Sequence, residues 1–213
     1  MSREGENVFR SYKLEIEALG GNMNGLENLI NETYELSREG SQWQGKRYEK
    51  INDLQNDYSG KIGERLLENA CLHAGIPVFY GGDKISTDGT YDIMIKNKKV
   101  EVKTARYGNS KIPSQRNFQH ENLRSDEDCD YYAFVDIKPE SFYITIIPKK
   151  GLDFTKMHPI MRTTPHNRRE TSNQYKWDFS NAAIKRGIEA GITTEVTGDN
   201  MSLLADILDS RIK

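Results

Sequence analysis

Hydrophobic and polar positions sort most sharply between Tyr91 and Ala105, where two apolar runs, Tyr91 to Ile95 and Val100 to Ala105, flank the polar stretch Lys96 to Lys99. This pattern predicts an antiparallel hairpin turning at Asn97-Lys98. With a two-residue loop there, Ile95 pairs with Val100, Met94 with Glu101, Ile93 with Val102 and Asp92 with Lys103. Strand alternation then sets Ile93, Ile95, Val100 and Val102 on one face and Asp92, Glu101 and Lys103 on the other. Upstream, Ile51, Leu54, Tyr58, Ile62, Leu66 and Ala70 recur at spacings of three and four, the buried stripe of a long helix with Ser59-Gly60 as a point of interruption and Gly75-Ile76-Pro77 as its end. Two shorter helices are predicted over about 6 to 19 and 26 to 38, separated by Gly20-Gly21.

A strand begins at Pro77 to Tyr80, and two more, Tyr131 to Ile137 and Phe142 to Ile147, join at Lys138-Pro139-Glu140. Between the hairpin and these strands, residues 106–124 read as a polar, basic crossover, helical or looped. After them comes a basic loop, MRTTPHNRRETSNQYKW, then helices over about 181 to 190 and 201 to 212. The order of elements gives an α/β fold with a mixed central sheet flanked by helices and an N-terminal helical extension. Three regions are expected: a helical arm over 1–45, a catalytic core over 46–150, and a basic loop with C-terminal helices over 151–213 that completes the same compact unit.

A chain of 213 residues with 36% hydrophobic content suits one substantial core. It holds no apolar run long enough to span a bilayer and opens without a secretory signal, so a cytoplasmic protein with no membrane partner is expected. Cys71 and Cys129 are too few for a disulfide scaffold and lack zinc-ligand spacing, which leaves them as buried thiols. The net charge of −2 hides a separation of charge. Residues 1–40 carry a net −4, residues 96–124 a net +6 and residues 149–176 a net +5, so contact with a polyanion belongs to the second half.

Two acids and a lysine on one strand face are compatible with a solvated surface and a cross-strand Asp92–Lys103 ion pair, worth a few tenths of a kcal/mol. The wider pattern points elsewhere. A helix bearing Glu64 (GER), a strand ending GTYD at Asp92, and E-V-K eight residues later (Glu101, Lys103) resemble the PD-(D/E)xK nuclease superfamily. The continuation FQHEN…CDYYAFVDI…SFYITIIP resembles that of its type II restriction endonucleases. Tyr91 stands where the motif's name has proline. The resemblance spans about residues 60 to 150 and implies a restriction-endonuclease-like core. It further implies Mg²⁺ held by Asp92, Glu101 and the Val102 carbonyl, with Glu64 orienting a metal-bound water or supporting a second ion. Such chemistry suits oxygen donors, because phosphodiester hydrolysis needs charge neutralised at the phosphate and a water activated. Lys103 shares its face with two carboxylates, which favours the protonated ammonium, a fixed cation that positions the attacking water.

Among the other signals, His166-Asn167 lacks the flanking ligands of a histidine-metal nuclease, His73 reads as a packed or capping residue, and Gly81-Gly82 as a turn. Gln119 and His120 stay open between structural support and DNA contact. Base edges are read by Arg on guanine and by Asn or Gln on adenine. Arg162, His166, Asn167, Arg168, Arg169, Asn173 and Gln174 combine these side chains, and Arg106, Lys111, Arg116 and Gln119 supply a second basic segment. The expected function is a Mg²⁺-dependent type II endodeoxyribonuclease acting as a homodimer on a short double-stranded DNA site. The alternatives are a repair or junction-resolving nuclease of the same superfamily, and a non-catalytic DNA-binding module.

Overall fold

The computed structural model describes residues 41–80, 91–108, 116–163 and 169–213. The helices predicted before residue 40 and the 81–90 loop lie outside them. The chain divides into two compact units, Met1–Gln44 and Gly45–Lys213. The second unit opens with a 3-10 turn, Glu49–Asp53, and the helix α1, Asn56–His73. Then come β1 Val78–Tyr80, β2 Ile93–Ile95, β3 Lys98–Arg106, β4 Asn117–Arg124, β5 Tyr131–Ile137 and β6 Ser141–Pro148. The chain finishes with β7 His158–Thr163, β8 Arg169–Ser180, α2 Asn181–Glu189, β9 Thr193–Thr197 and α3 Met201–Arg211.

Among the described residues, six strands form a mixed sheet in the order β1-β2-β3-β5-β6-β9, in which β3 and β5 run parallel and every other neighbour antiparallel. The expected fold class, a mixed sheet flanked by helices, is what the chain adopts. Helix α1 is continuous through Ser59-Gly60, but its buried face is Gly63, Leu67, Ala70 and Cys71; Tyr58 and Ile62 are exposed. The spacing gave the period correctly and the phase one residue off. Gly63 explains the phase: a Cβ there would lie 2.0 Å from Thr104 Oγ1, so only glycine lets α1 come this close to β3.

The second difference is larger. The expected crossover holds β4, and the expected basic loop holds β7 and β8, which together make a three-stranded antiparallel sheet in the order β4-β8-β7. Its inward side chains include Phe118, His120, Leu123 and Phe179, against Tyr132 and Phe134 of β5. The signal was present in the sequence as the alternation Tyr175, Trp177, Phe179 with Lys176, Asp178. In β4 it is interrupted where Asn122 takes a left-handed conformation (φ 59°) and the pairing slips between His120 and Leu123. At the heart of this junction the fully buried His120 Nε2 lies 2.8 Å from Asp136 Oδ1 of β5. His120 therefore serves as structural support between the sheets. Strand β9 was not anticipated; it pairs with β6 at the edge of the large sheet.

Candidate active site

The hairpin turns one residue earlier than its sequence suggests. Lys96 and Asn97 both have positive φ, 51° and 62°, the backbone of a two-residue primed turn, and Ile95 pairs with Lys98. Every partner therefore moves by two residues: Ile93 faces Val100 and Met94 faces Lys99. A shift of two preserves which face each side chain takes. Ile93, Ile95, Val100 and Val102 are buried together as expected, and Glu101 and Lys103 share the opposite face.

The partners within the cluster differ from the expected cross-strand pair. Lys103 Nζ donates to Glu101 Oε1 at 2.5 Å, with both side chains largely buried. Asp92 stands one residue before β2 and accepts the Val102 amide on Oδ2 at 2.7 Å. Its own amide donates to the Val100 carbonyl at 3.1 Å. The carboxyl is thus fixed to the backbone of β3 beyond the end of β2. A strand residue's N–H and C=O point to the same edge, so the Val102 carbonyl faces the side on which Asp92 stands. Glu64 follows Gly63 on α1, which packs against Val102 and Thr104, on the sheet face opposite Glu101 and Lys103. It reaches the cluster through Asp92, whose carboxyl feels the Glu64 charge.

Sequence reasoning missed a further acid. Glu127 precedes β5, is nearly buried, and its carboxylate accepts from the hydroxyl of Tyr132, near enough to Glu101 to feel that residue's charge. Tyr132 is the register partner of Glu101 in β5, and its hydroxyl also reaches the Arg124 carbonyl at 2.8 Å. Nothing in the local pattern marks Glu127, because the contact is made between strands.

Burial sets the electrostatics. It pushes the Asp92 carboxyl up to about 6, opposed by the Val102 amide and reinforced by Glu64. Burial raises Glu101 as well, with Lys103 pulling down and Asp92 pushing up, and it raises Glu127, with Glu101 adding to the rise. On Lys103 burial acts to lower the pKa, but the Glu101 and Glu127 carboxylates outweigh it, and the ammonium stays protonated above its ordinary range. Acids that repel one another in a desolvated site are stabilised by a cation.

Among the described residues no three His, Cys, Asp or Glu side chains form a ready-made metal cage. Asp92 and Glu101 offer two hard oxygen donors, with the Val102 carbonyl on the Asp92 side. That set fits Mg²⁺, which is commonly held by one or two carboxylates and completed by water and phosphate oxygens.

The expected DNA contacts fall in two places. Arg106 donates from its guanidinium to the Ile51 carbonyl at 3.0 Å, tying β3 to the 3-10 turn, and Arg116 is half-buried just before β4. Gln119 is exposed on the outer face of β4, opposite Asp178. Arg162 on β7 is the register partner of Glu170, and Arg169 on β8 that of Thr163, while Asn173 and Gln174 lie along β8. Lys111, His166, Asn167 and Arg168 are outside the described residues.

No family model and no curated protein matches the chain. Among solved structures it is similar to the bacterial homing endonuclease I-Ssp6803I, at 20% identity and a TM-score of 0.34, over 46% of this chain and 71% of that one. No helix among the described residues is long and apolar enough to cross a membrane.

Proposed function

We propose that the chain is a Mg²⁺-dependent endodeoxyribonuclease, of the type II restriction kind, that hydrolyses phosphodiester bonds at a short double-stranded DNA site as a homodimer. One observation carries the reading: Asp92, Glu101 and Lys103 meet in a buried polar cluster on β3 beyond the end of its partner β2. Burying two carboxylates beside a lysine is a poor way to stabilise a fold and a good way to prepare a site for a cation and a phosphate. The finer description, a restriction enzyme acting as a dimer, rests on the sequence resemblance.

When bound, Mg²⁺ supplies charge neutralisation at the scissile phosphate and a water more readily deprotonated. The chain's own groups do the rest. Asp92, locked by the Val102 amide, and Glu101, oriented by Lys103, present their oxygens at fixed positions. Lys103 keeps its proton on Nζ, orients the attacking water, and opposes the negative charge that grows on the phosphate. Base reading falls to the small sheet, which lies on the Glu101 and Lys103 face of the large one. At its base Lys176 is matched by Glu121 at 3.5 Å and Asp178 at 3.6 Å, which moves the reading towards the far end of β7 and β8.

The test is digestion of plasmid and phage DNA by the purified protein in Mg²⁺, Ca²⁺ or EDTA, with the ends mapped. Discrete bands in Mg²⁺ alone are expected. Asp92→Ala and Glu101→Ala should each slow single-turnover cleavage by at least about a thousandfold, roughly 4 kcal/mol of barrier. Wild-type protein that leaves DNA intact, or an Asp92→Ala variant that cuts as well as wild type, overturns the reading.

A further inference from the structure

We propose that Glu127 is a positioning residue of this site, a brace that fixes the Glu101 carboxylate and, through it, the Lys103 ammonium; the proposal rests on the nuclease reading. The segment that carries Glu127 is held from several sides. The Asp130 amide donates to the Lys99 carbonyl at 2.8 Å, and the Lys99 amide returns a bond to Asp130 Oδ2 at 2.9 Å, which ties the segment to the start of β3. The Lys149 amide donates to the Asp130 carbonyl at 2.9 Å, and the Lys149 ammonium grips the Glu127 carbonyl, which ties it to the end of β6. The Tyr132 hydroxyl joins the Arg124 carbonyl to the Glu127 carboxyl.

A segment pinned from these sides delivers one carboxyl to one place, at the hydroxyl of Tyr132, the register partner of Glu101. Glu101 needs such support. Its carboxyl sits on a strand, with Lys103 on one oxygen, and would have to serve both that ammonium and a cation held beside Asp92. Glu127 gives Lys103 a second anion beside Glu101, which holds the ammonium, and with it the Glu101 carboxylate, in place. A fourth acid in this cluster adds repulsion, which a purely structural contact between β5 and its preceding turn does not require.

The experiment compares wild type, Glu127→Ala and Glu127→Gln by calorimetric Mn²⁺ binding, single-turnover cleavage and thermal unfolding. Glutamine has both a donor and an acceptor, so it can bridge Tyr132 and Glu101 without the charge. Glu127→Ala should weaken Mn²⁺ binding at least tenfold and cleavage at least a hundredfold, with an unfolding midpoint within a few degrees of wild type. Glu127→Gln should recover Mn²⁺ binding to within about threefold. If wild type binds and cuts and Glu127→Ala matches it, the brace is wrong and the nuclease reading stands. If both variants lose binding and cleavage alike together with a lowered midpoint, Glu127 is structural and the brace is again wrong. If wild type neither binds Mn²⁺ nor cuts, the brace and the nuclease reading fall together.

Discussion

At the scale of single residues, Lys103 separates two chemistries. A fixed cation tolerates replacement by another cation, so Lys103→Arg should retain at least tenfold more cleavage than Lys103→Gln, measured in single turnover at saturating Mg²⁺. Equal loss in both variants would point to a role that charge alone does not fill. Asp92 has a consequence for stability. Its folded pKa of about 6 lies above the ordinary carboxylate value, so its contribution to stability is complete below that ordinary value and is lost as pH rises through about 6. A pKa unit is about 1.4 kcal/mol, so a rise of roughly two is on the order of 3 kcal/mol. Denaturant titrations in EDTA should show wild type losing stability between about pH 4 and pH 7 relative to Asp92→Asn; parallel curves would remove the burial argument. That Glu101 and Lys103 share one face was legible in the sequence because side-chain face depends only on parity, although the hairpin register was off by two residues; Asp92 stands outside β2, and the Val102 amide places it. Glu127 was not legible, since its role depends on Tyr132 of the next strand and on Glu101 of a strand some twenty-six residues earlier.

At the scale of elements, the contact of α1 with β3 is set by one missing methyl group. A Cβ at Gly63 would also approach Thr104 Cβ to 3.2 Å and Val102 Cγ1 to 3.4 Å. Gly63→Ala should therefore cost about 1–3 kcal/mol by overpacking, and Thr104→Ala in the same chain should restore part of that; an undiminished urea midpoint for Gly63→Ala would show that the helix yields freely. Helices α2 and α3 were read within a residue or two; the structure shows them capped by Ser180 and Asn200, whose side chains accept from the Ala183 and Leu203 amides. The small sheet escaped notice because its outward positions are charged and its inward ones are interrupted by the bulge at Asn122, so neither run looks like an ordinary apolar strand. Phe118 and Leu123 are nevertheless fully buried, and the tertiary partners decided what local pattern left open.

At the scale of the molecule, the proposed function assigns chemistry and base reading to different sheets. The catalytic reading uses β3 beyond the end of β2; the specificity reading uses β7 and β8. Alanine changes at Arg168, Arg169 and Asn173 should include at least one that weakens binding to the cognate site by about 1–3 kcal/mol while leaving nonspecific affinity nearly unchanged in Ca²⁺. Equal loss on all sequences, with a reduced salt slope, would make these residues phosphate contacts and direct the search to residues 106–124. The connection between the two sheets also fixes an order of assembly. β3 and β5 are neighbours, yet the chain between them leaves the large sheet to form β4, whose strand partner among the described residues is β8. On a ribosome, β4 emerges long before Ser180 does, and until then His120 and Phe118 lack the cover of Phe179. A nascent chain that stops short of β8 presents β4 as an open strand edge with an uncovered aromatic face, a form suited to capture by a chaperone until β8 has left the ribosome.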